Sequence, residues 1–170
     1  MPTTAYDAKG MLISAIKDNS PVVIFEHRWL YNVDGIVPKD PYEVNLDKAK
    51  VMLEGNDITI VATSYMVLEA LKAAELLSKH GIKSEVIDIR SIVPLDIDTI
   101  YTSVKKTRSL IVADTGTVNF GISAEIISRL IEMDHSLLNN LPKRIGLPFC
   151  PSPTSPSLAE KFFPRSKDII

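Results

Sequence analysis

The pattern of apolar and polar residues changes its period within the first thirty positions. Apolar side chains recur at helical spacing in residues 7–18, and Asp7 stands where a helix N-cap is expected. Residues 21–26, Pro-Val-Val-Ile-Phe-Glu, are dominated by β-branched and aromatic side chains, which is typical of a strand buried on both faces. The pattern therefore predicts one helix followed by one buried strand.

Residues 27–47 follow no clean period. They contain Asp34-Gly35, Pro38 and Pro41, which are turn and breaker signals. We predict that they form a linker or an extended crossing segment before a regular pattern begins at residue 48.

From residue 48 onward, short β-branched runs alternate with longer amphipathic stretches. Ser64 is expected to cap the longest of these helices, and Gly81 stands at the C′ position after it. Such alternation builds βαβ units, so we predict an α/β three-layer sandwich with a mixed, mostly parallel sheet of about five strands. The predicted strands cover residues 49–53, 57–62, 83–89, 109–114 and 144–147, and the predicted helices cover residues 65–80, 96–106, 119–133 and 157–163.

Composition argues against several classes of protein. With 45% apolar and 24% charged residues, the 170-residue chain can bury a core and is not disordered as a whole. A net charge of −2 provides no positive field for nucleic acid or anionic lipid, so we expect no nucleic-acid partner. The apolar runs are much shorter than the roughly 20 residues of a membrane helix, so we expect no membrane partner either.

Cysteine and histidine usage argues against a disulfide or a zinc site. Cys150 is the only cysteine, and no neighbouring base would activate its thiol. The three histidines lie far apart and lack metal-ligand spacing. The N-terminus has neither the basic start nor the apolar stretch of a signal peptide, so we expect a cytoplasmic protein.

One loop has nearly the spacing of a phosphate-binding loop. Residues 114–123 follow a predicted strand and open a predicted helix, but Ile122 replaces the lysine that contacts the outer phosphates. We therefore interpret the loop as a glycine-rich turn in a packing role. Anion binding by its backbone N–H groups stays open as an alternative.

Other polar residues near the predicted strand ends allow more than one role. Residues 26–31, Glu-His-Arg-Trp-Leu-Tyr, suit an interface or interdomain anchor better than a ligand site. Asp96 is expected to cap a helix, and Asp114 to cap a turn rather than act as a site group. Arg90 suits a structural salt bridge and a ligand or partner contact equally well.

Three segments, taken together, resemble one known family. They are residues 6–27, residues 85–100, which contain Ile-Asp-Ile-Arg-Ser-Ile-Val-Pro-Leu-Asp, and residues 120–126, Phe-Gly-Ile-Ser-Ala-Glu-Ile. In this order they resemble the C-terminal half of the β subunit of thiamine-dependent 2-oxoacid dehydrogenases, such as pyruvate, branched-chain and acetoin dehydrogenases. Transketolase-like enzymes share the C-terminal domain more distantly.

The resemblance implies that the chain combines parts of two domains. Residues 1–30 would be the last helix and strand of a pyrimidine-binding domain, residues 31–47 a linker, and residues 48–170 a transketolase C-terminal-like domain. The glutamate and histidine that act on the cofactor and the substrate in the family have no matching positions here, so no catalytic residue is assigned. Thiamine diphosphate and magnesium are expected in the full enzyme but not in this chain.

The same resemblance implies an assembly role. The full enzyme would oxidatively decarboxylate a 2-oxo acid and acylate lipoamide. This chain would contact the α subunit, a second β subunit and the lipoamide acyltransferase core, and in isolation it would self-associate. Two alternatives remain: a transketolase or deoxyxylulose-phosphate synthase-like enzyme, in which Arg90 would contact a sugar phosphate, and a free-standing interaction module.

Some members of the family hold a structural potassium ion through backbone carbonyls at the end of a helix. The matching positions are Ala15, Ile16 and Asp18, and Ser20 replaces an asparagine. At least one further ligand lies upstream in the family, so the resemblance implies an incomplete potassium site in this chain.

Overall fold

Five strands and six α-helices make up the computed structural model, which describes residues 1–170. The strands are β1 (Lys50–Leu53), β2 (Ile58–Ala62), β3 (Ser84–Asp88), β4 (Leu110–Thr117) and β5 (Lys143–Leu147). The helices are α1 (Ala5–Lys17), α2 (Tyr65–Ser78), α3 (Ile97–Thr107), α4 (Ile122–Met133), α5 (Pro156–Phe162) and α6 (Ser166–Ile169). None of these helices combines the length and the hydropathy needed to cross a membrane.

The strands form one mixed sheet in the order β1-β3-β2-β4-β5. Only β1 runs antiparallel to its neighbour, and the other three pairings are parallel. The predicted α/β class and the mixed, mostly parallel sheet of five strands are therefore confirmed. All five predicted strands from residue 49 onward are present within a few residues, whereas α6 was not predicted.

Helices cover both faces of the sheet, which creates the three predicted layers. On one face, α2 packs over Ile60 and Val86 of the central strands. On the other face, α3 and α4 pack over Val61 and Val112. Neighbouring residues of one strand enter different cores because successive side chains of a strand point to opposite faces.

The two ends of α2 differ in how well the sequence predicts them. At its C-terminal end, Gly81 has a φ of 79°, its N–H donates to Ser78 O at 3.0 Å, and Ile82 N donates to Leu77 O at 3.1 Å. This is a Schellman motif, which confirms Gly81 at C′. The prediction for Ser64 is wrong, because its side chain makes no capping bond; its φ of 48° and ψ of −126° lie outside the extended region that side-chain capping requires.

The prediction of a buried strand at residues 21–26 is also wrong. The segment forms neither a helix nor a strand and is mostly exposed, with Val23 and Phe25 at 74% and 63% accessibility. No other strand of the chain lies beside it, so none of its backbone groups takes part in a backbone hydrogen bond. A strand-forming sequence needs a partner strand before it can form a strand.

Part of the predicted linker packs against α1. Val44 is buried over Gly10, where an added Cβ would collide with the Val44 side chain and lie 2.7 Å from Tyr42 Cε2. Ser14 Oγ donates to Val44 O at 2.8 Å. Glycine at position 10 therefore allows residues 42–44 to approach the helix closely.

Candidate functional site at the carboxyl edge of the sheet

The carboxyl ends of β2, β3 and β4 lie at one edge of the sheet because these strands are parallel. The strand that follows β2 in sequence, β3, lies on one side of β2, and the next strand, β4, lies on the other side. The direction in which strands are added to the sheet therefore reverses beside β2. Open α/β sheets bind ligands at such points. The polar residues at this edge are Thr63, Ser64, Asp88, Arg90 and Asp114.

Asp114 lies within β4 at the level where β2 ends, and it links the two strands. Thr63 Oγ1 donates to Asp114 Oδ1 at 2.7 Å, and the other oxygen, Oδ2, lies 2.9 Å from where a Cβ of residue 116 would be. Gly116 therefore leaves room for the carboxylate, as a packing role requires. The predicted start of the turn is wrong, because residues 114–117 continue β4. No backbone N–H of the turn donates to Asp114, so the expected cap is absent. A carboxylate in this position disfavours the alternative of a bound anion.

Arg90 forms a structural ion pair with Asp7. Its Nη1 donates to Asp7 Oδ1 at 3.2 Å, while Nε and Nη2 donate to Lys48 O at 2.9 and 2.6 Å. All three guanidinium nitrogens are thus engaged within the chain, and the side chain is only 11% exposed. Asp7, expected to cap α1, instead forms this ion pair; Thr4 Oγ1 is the cap and accepts from Asp7 N at 3.0 Å.

Asp88 is a second buried carboxylate at this edge. Its Oδ1 accepts from Arg90 N at 3.0 Å, whereas its Oδ2 has no hydrogen-bond partner. Burial raises the pKa of Asp88 to about 6, and the nearby charge of Asp7 acts in the same direction.

The prediction that Asp96 caps a helix is confirmed, since its Oδ1 accepts from Thr99 N at 3.2 Å at the start of α3.

Residues 27–29 belong to an aromatic cluster that also includes α2 and the C-terminal segment. The His27 ring stacks on Tyr65 with ring centroids 5.2 Å apart, and Trp29 packs edge-on against Tyr65 and Phe163. The Arg165 guanidinium lies 4.4 Å from the centre of the Trp29 ring. The predicted anchor is therefore an intramolecular one in this chain.

Glu69 and Arg165 add polar contacts to the aromatic cluster. Glu69 accepts from Tyr65 Oη at 2.7 Å and from Ser166 N at 2.9 Å. Burial opposes ionisation of Glu69, but hydrogen bonds from Lys72, Tyr65 and Ser166 outweigh it and lower the pKa of this carboxyl group. Burial and the charge of Arg165 lower the pKa of His27. Sequence reasoning missed these residues, because no local pattern relates position 29 to position 165.

The three predicted potassium ligands lie together at the end of α1. Ala15 and Ile16 are in its last turn, and Asp18 is the C-cap. Their carbonyl oxygens accept no hydrogen bond within the chain. The C-terminal end of a helix carries partial negative charge, which suits a cation. A polar groove of about 650 Å³ adjoins Asp18 and includes Glu43 and Asp47.

Comparison with known proteins agrees with the fold and the resemblance. The model of the transketolase C-terminal domain family matches residues 47–169. The acetoin:2,6-dichlorophenolindophenol oxidoreductase subunit beta of Bacillus subtilis (strain 168) is 42% identical over 170 residues, which is 100% of this chain and 50% of that protein. The pyruvate dehydrogenase E1 component subunit beta of the same strain is 42% identical over 171 residues, 100% of this chain and 52% of that protein.

A mitochondrial pyruvate dehydrogenase E1 component subunit beta from Pisum sativum is 41% identical over the whole chain and is covered to 48%. The chain thus spans about half the length of the relatives it matches. A solved structure described as a split gene transketolase, inactive beta4 tetramer, matches with a TM-score of 0.76, covering 99% of this chain and 53% of that chain. Its 23% sequence identity supports the fold alone. With the family model covering most of its length, the chain belongs to the transketolase C-terminal domain family.

Proposed function

We propose that this chain is the C-terminal, assembly-forming half of the β subunit of a thiamine-diphosphate-dependent 2-oxoacid dehydrogenase. The full enzyme would oxidatively decarboxylate a 2-oxo acid and acylate lipoamide. The identity of about 42% over the whole chain to a pyruvate dehydrogenase E1 β subunit carries this proposal. The acetoin-oxidising relative, equally similar, makes acetoin the second substrate to test.

We also propose a domain assignment. Residues 1–30 would complete a preceding pyrimidine-binding domain, residues 31–47 would be the linker, and residues 48–170 the C-terminal domain. Two observations support it: the family match begins at residue 47, and segment 21–26 exposes strand-forming side chains with an unpaired backbone. That segment suits a sheet in the preceding domain.

The carboxyl edge of this domain does not fit a diphosphate group. Asp88 and Asp114 are buried carboxylates there, and Arg90 is engaged by Asp7 and Lys48. We therefore place thiamine diphosphate and magnesium with other parts of the full enzyme. The role of this chain is to contact the α subunit, a second β subunit and the acyltransferase core. We further propose a cytoplasmic location, in keeping with a single, unpaired thiol at Cys150.

A chimeric enzyme tests the proposed function. This chain replaces the matching half of the Bacillus subtilis pyruvate dehydrogenase β subunit, which is assembled with its α partner and assayed with pyruvate, branched-chain 2-oxo acids, acetoin and ketose phosphates. Reduction of 2,6-dichlorophenolindophenol with a 2-oxo acid or acetoin is expected, with the native β subunit as the control.

Three outcomes contradict the proposal or its division of roles. Turnover of ketose phosphates alone would favour the transketolase-like alternative, and a folded chimera that fails to bind the α subunit would favour the free-standing module. Tight binding of magnesium thiamine diphosphate by this chain alone, measured by calorimetry, would contradict the division of roles between domains.

We also propose that the carbonyls of Ala15, Ile16 and Asp18 contribute to a potassium site that further chain completes. The melting temperature of this chain should then be the same in potassium and sodium chloride, while the chimeric β subunit should melt higher in potassium chloride. Equal melting temperatures of the chimera in both salts would contradict the proposal.

A further inference from the structure

The guanidinium group of Arg165 contacts two aromatic rings that come from distant parts of the chain. Its Cζ lies 4.4 Å from the centre of the Trp29 ring and 5.4 Å from the centre of the Tyr65 ring. The two ring planes are inclined at 79°, so the rings meet the cation from two directions. Cations are attracted to the faces of aromatic rings, and cages of such rings bind organic cations.

A buried carboxylate supplies the opposite charge. The side chain of Glu69 is 4% exposed, and its Oε1 lies 4.0 Å from Arg165 Nη1. The Tyr65 hydroxyl connects the two charged groups, since it accepts from Arg165 Nη1 at 2.6 Å and donates to Glu69 Oε1 at 2.7 Å. Although burial opposes ionisation, hydrogen bonds lower the pKa of Glu69, so this carboxylate is charged at neutral pH.

Ring faces together with a hydroxyl acceptor favour a guanidinium over other organic cations. A planar guanidinium can lie over a ring and still direct an N–H at the Tyr65 hydroxyl, whereas a quaternary ammonium has no N–H to donate. A primary ammonium is more strongly hydrated than a guanidinium, so it gains less from leaving water. Trp29 packs on Tyr65 with ring centroids 5.0 Å apart, and Tyr65 is hydrogen-bonded to Glu69. These contacts do not depend on Arg165.

Solvent reaches this group of side chains. Trp29 is 40% exposed, and the Arg165 side chain is 35% exposed. The backbone at residue 165 is also held by other contacts, because Arg165 N donates to Asp168 Oδ2 at 2.8 Å and Ile169 is buried in the core that α2 covers. Removal of the guanidinium should therefore vacate the space beside Trp29 without releasing α6.

We propose that Trp29, Tyr65 and Glu69 form a binding site for a guanidinium group, which Arg165 of the same chain fills as a self-ligand. When the Arg165 side chain is removed, the site takes an alkylguanidinium from solution. Because a tethered ligand competes at a high effective concentration, free alkylguanidinium compounds bind the unmodified chain poorly. The site is independent of the reaction proposed for the full enzyme.

Titration of ethylguanidinium into the full 170-residue Arg165→Ala variant tests the site. Trp29 is the chain's only tryptophan, so its fluorescence reports the site directly. The emission should change saturably, with a dissociation constant lower than that of the unmodified chain by about tenfold or more. Arg129→Ala removes an arginine from α4 on the other face of the sheet and is the matched control, which should respond like the unmodified chain. Sodium chloride keeps the ionic strength constant throughout.

Two further variants test the class of ligand and the role of the hydroxyl. Tetramethylammonium should bind Arg165→Ala more weakly than ethylguanidinium by about tenfold or more, because it cannot donate to the Tyr65 hydroxyl. Tyr65→Phe, added to Arg165→Ala, should remove this preference. Arg165→Lys, which lacks the planar group but keeps the charge, should also bind ethylguanidinium more tightly than the unmodified chain does. It replaces Arg165→Ala if circular dichroism shows that the alanine variant is unfolded.

Three outcomes would overturn the proposal. The first is equal affinity of ethylguanidinium for the unmodified chain and for the folded Arg165 variants. The second is a Trp29 emission that shows no saturable change in either Arg165 variant. The third is tetramethylammonium binding as tightly as ethylguanidinium while Tyr65 is present, because the site would then recognise charge and not the guanidinium group.

Discussion

Asp88 shows how a single buried residue makes stability depend on pH. The folded chain raises the pKa of this carboxyl group from 3.8 to about 6, so it binds the proton more tightly than the unfolded chain does. The contribution of Asp88 to the free energy of unfolding is therefore largest at a pH below its pKa in the unfolded chain. This contribution is lost as the pH rises through about 6. A shift of this size corresponds to about 3 kcal/mol.

Replacing Asp88 with asparagine should remove this dependence. Urea unfolding between pH 4.5 and 7.5 should show a free-energy difference between Asp88→Asn and the unmodified chain that grows to about 3 kcal/mol in favour of the variant. Asp34→Asn, at an exposed position, serves as the control and should not alter the pH profile. Parallel profiles for Asp88→Asn and the unmodified chain would show that Asp88 ionises normally.

The ion pair between Asp7 and Arg90 allows a second prediction for single residues. Arg90→Met leaves the buried Asp7 carboxylate with Lys50 Nζ at 3.9 Å as its remaining cation, so we expect a loss of about 3 kcal/mol in unfolding free energy. Asp7→Asn combined with Arg90→Met should cost clearly less than the sum of the single changes. Strict additivity in this double-mutant cycle would show that the two residues do not interact.

At the scale of elements, close approach of α1 and residues 42–44 depends on one missing side chain. Gly10→Ala should lower the unfolding free energy by about 1–3 kcal/mol, because its methyl group would collide with Val44. Limited proteolysis should then cleave residues 31–47 faster. Ile16→Ala, on the exposed side of α1, is the control, and the same loss in both variants would argue against a local collision.

The aromatic cluster joins three elements and contains the chain's only tryptophan, Trp29. The lowered pKa of His27 means that the folded chain binds a proton at this imidazole less tightly than the unfolded chain does. The aromatic cluster should therefore become less stable as the pH falls below about 6.5. Trp29 fluorescence should report the change directly. His27→Gln should abolish the transition, whereas an unaltered pH profile in this variant would assign it to another group.

At the scale of the whole molecule, the sequence predicted what local patterns determine. Alternating apolar runs identified the strands of the sheet, and Gly81 marked the end of α2. The strand predicted at residues 21–26 does not form, because a strand needs a partner strand and the local sequence does not show whether one is present. The pairing of Asp7 with Arg90 and the stacking of Trp29 on Arg165 join positions more than 80 residues apart, so no local spacing could predict them.

The docking of α1 has a mechanical consequence. The ion pair between Arg90 and Asp7 holds α1 at the carboxyl end of β3. The missing side chain of Gly10 allows residues 42–44 to pack closely against α1. Residues 42–44 of the proposed linker are therefore held against α1. If a domain preceding residue 1 moved, α1 would move with it as a rigid body. The motion would then act on the sheet at Asp88 and Arg90.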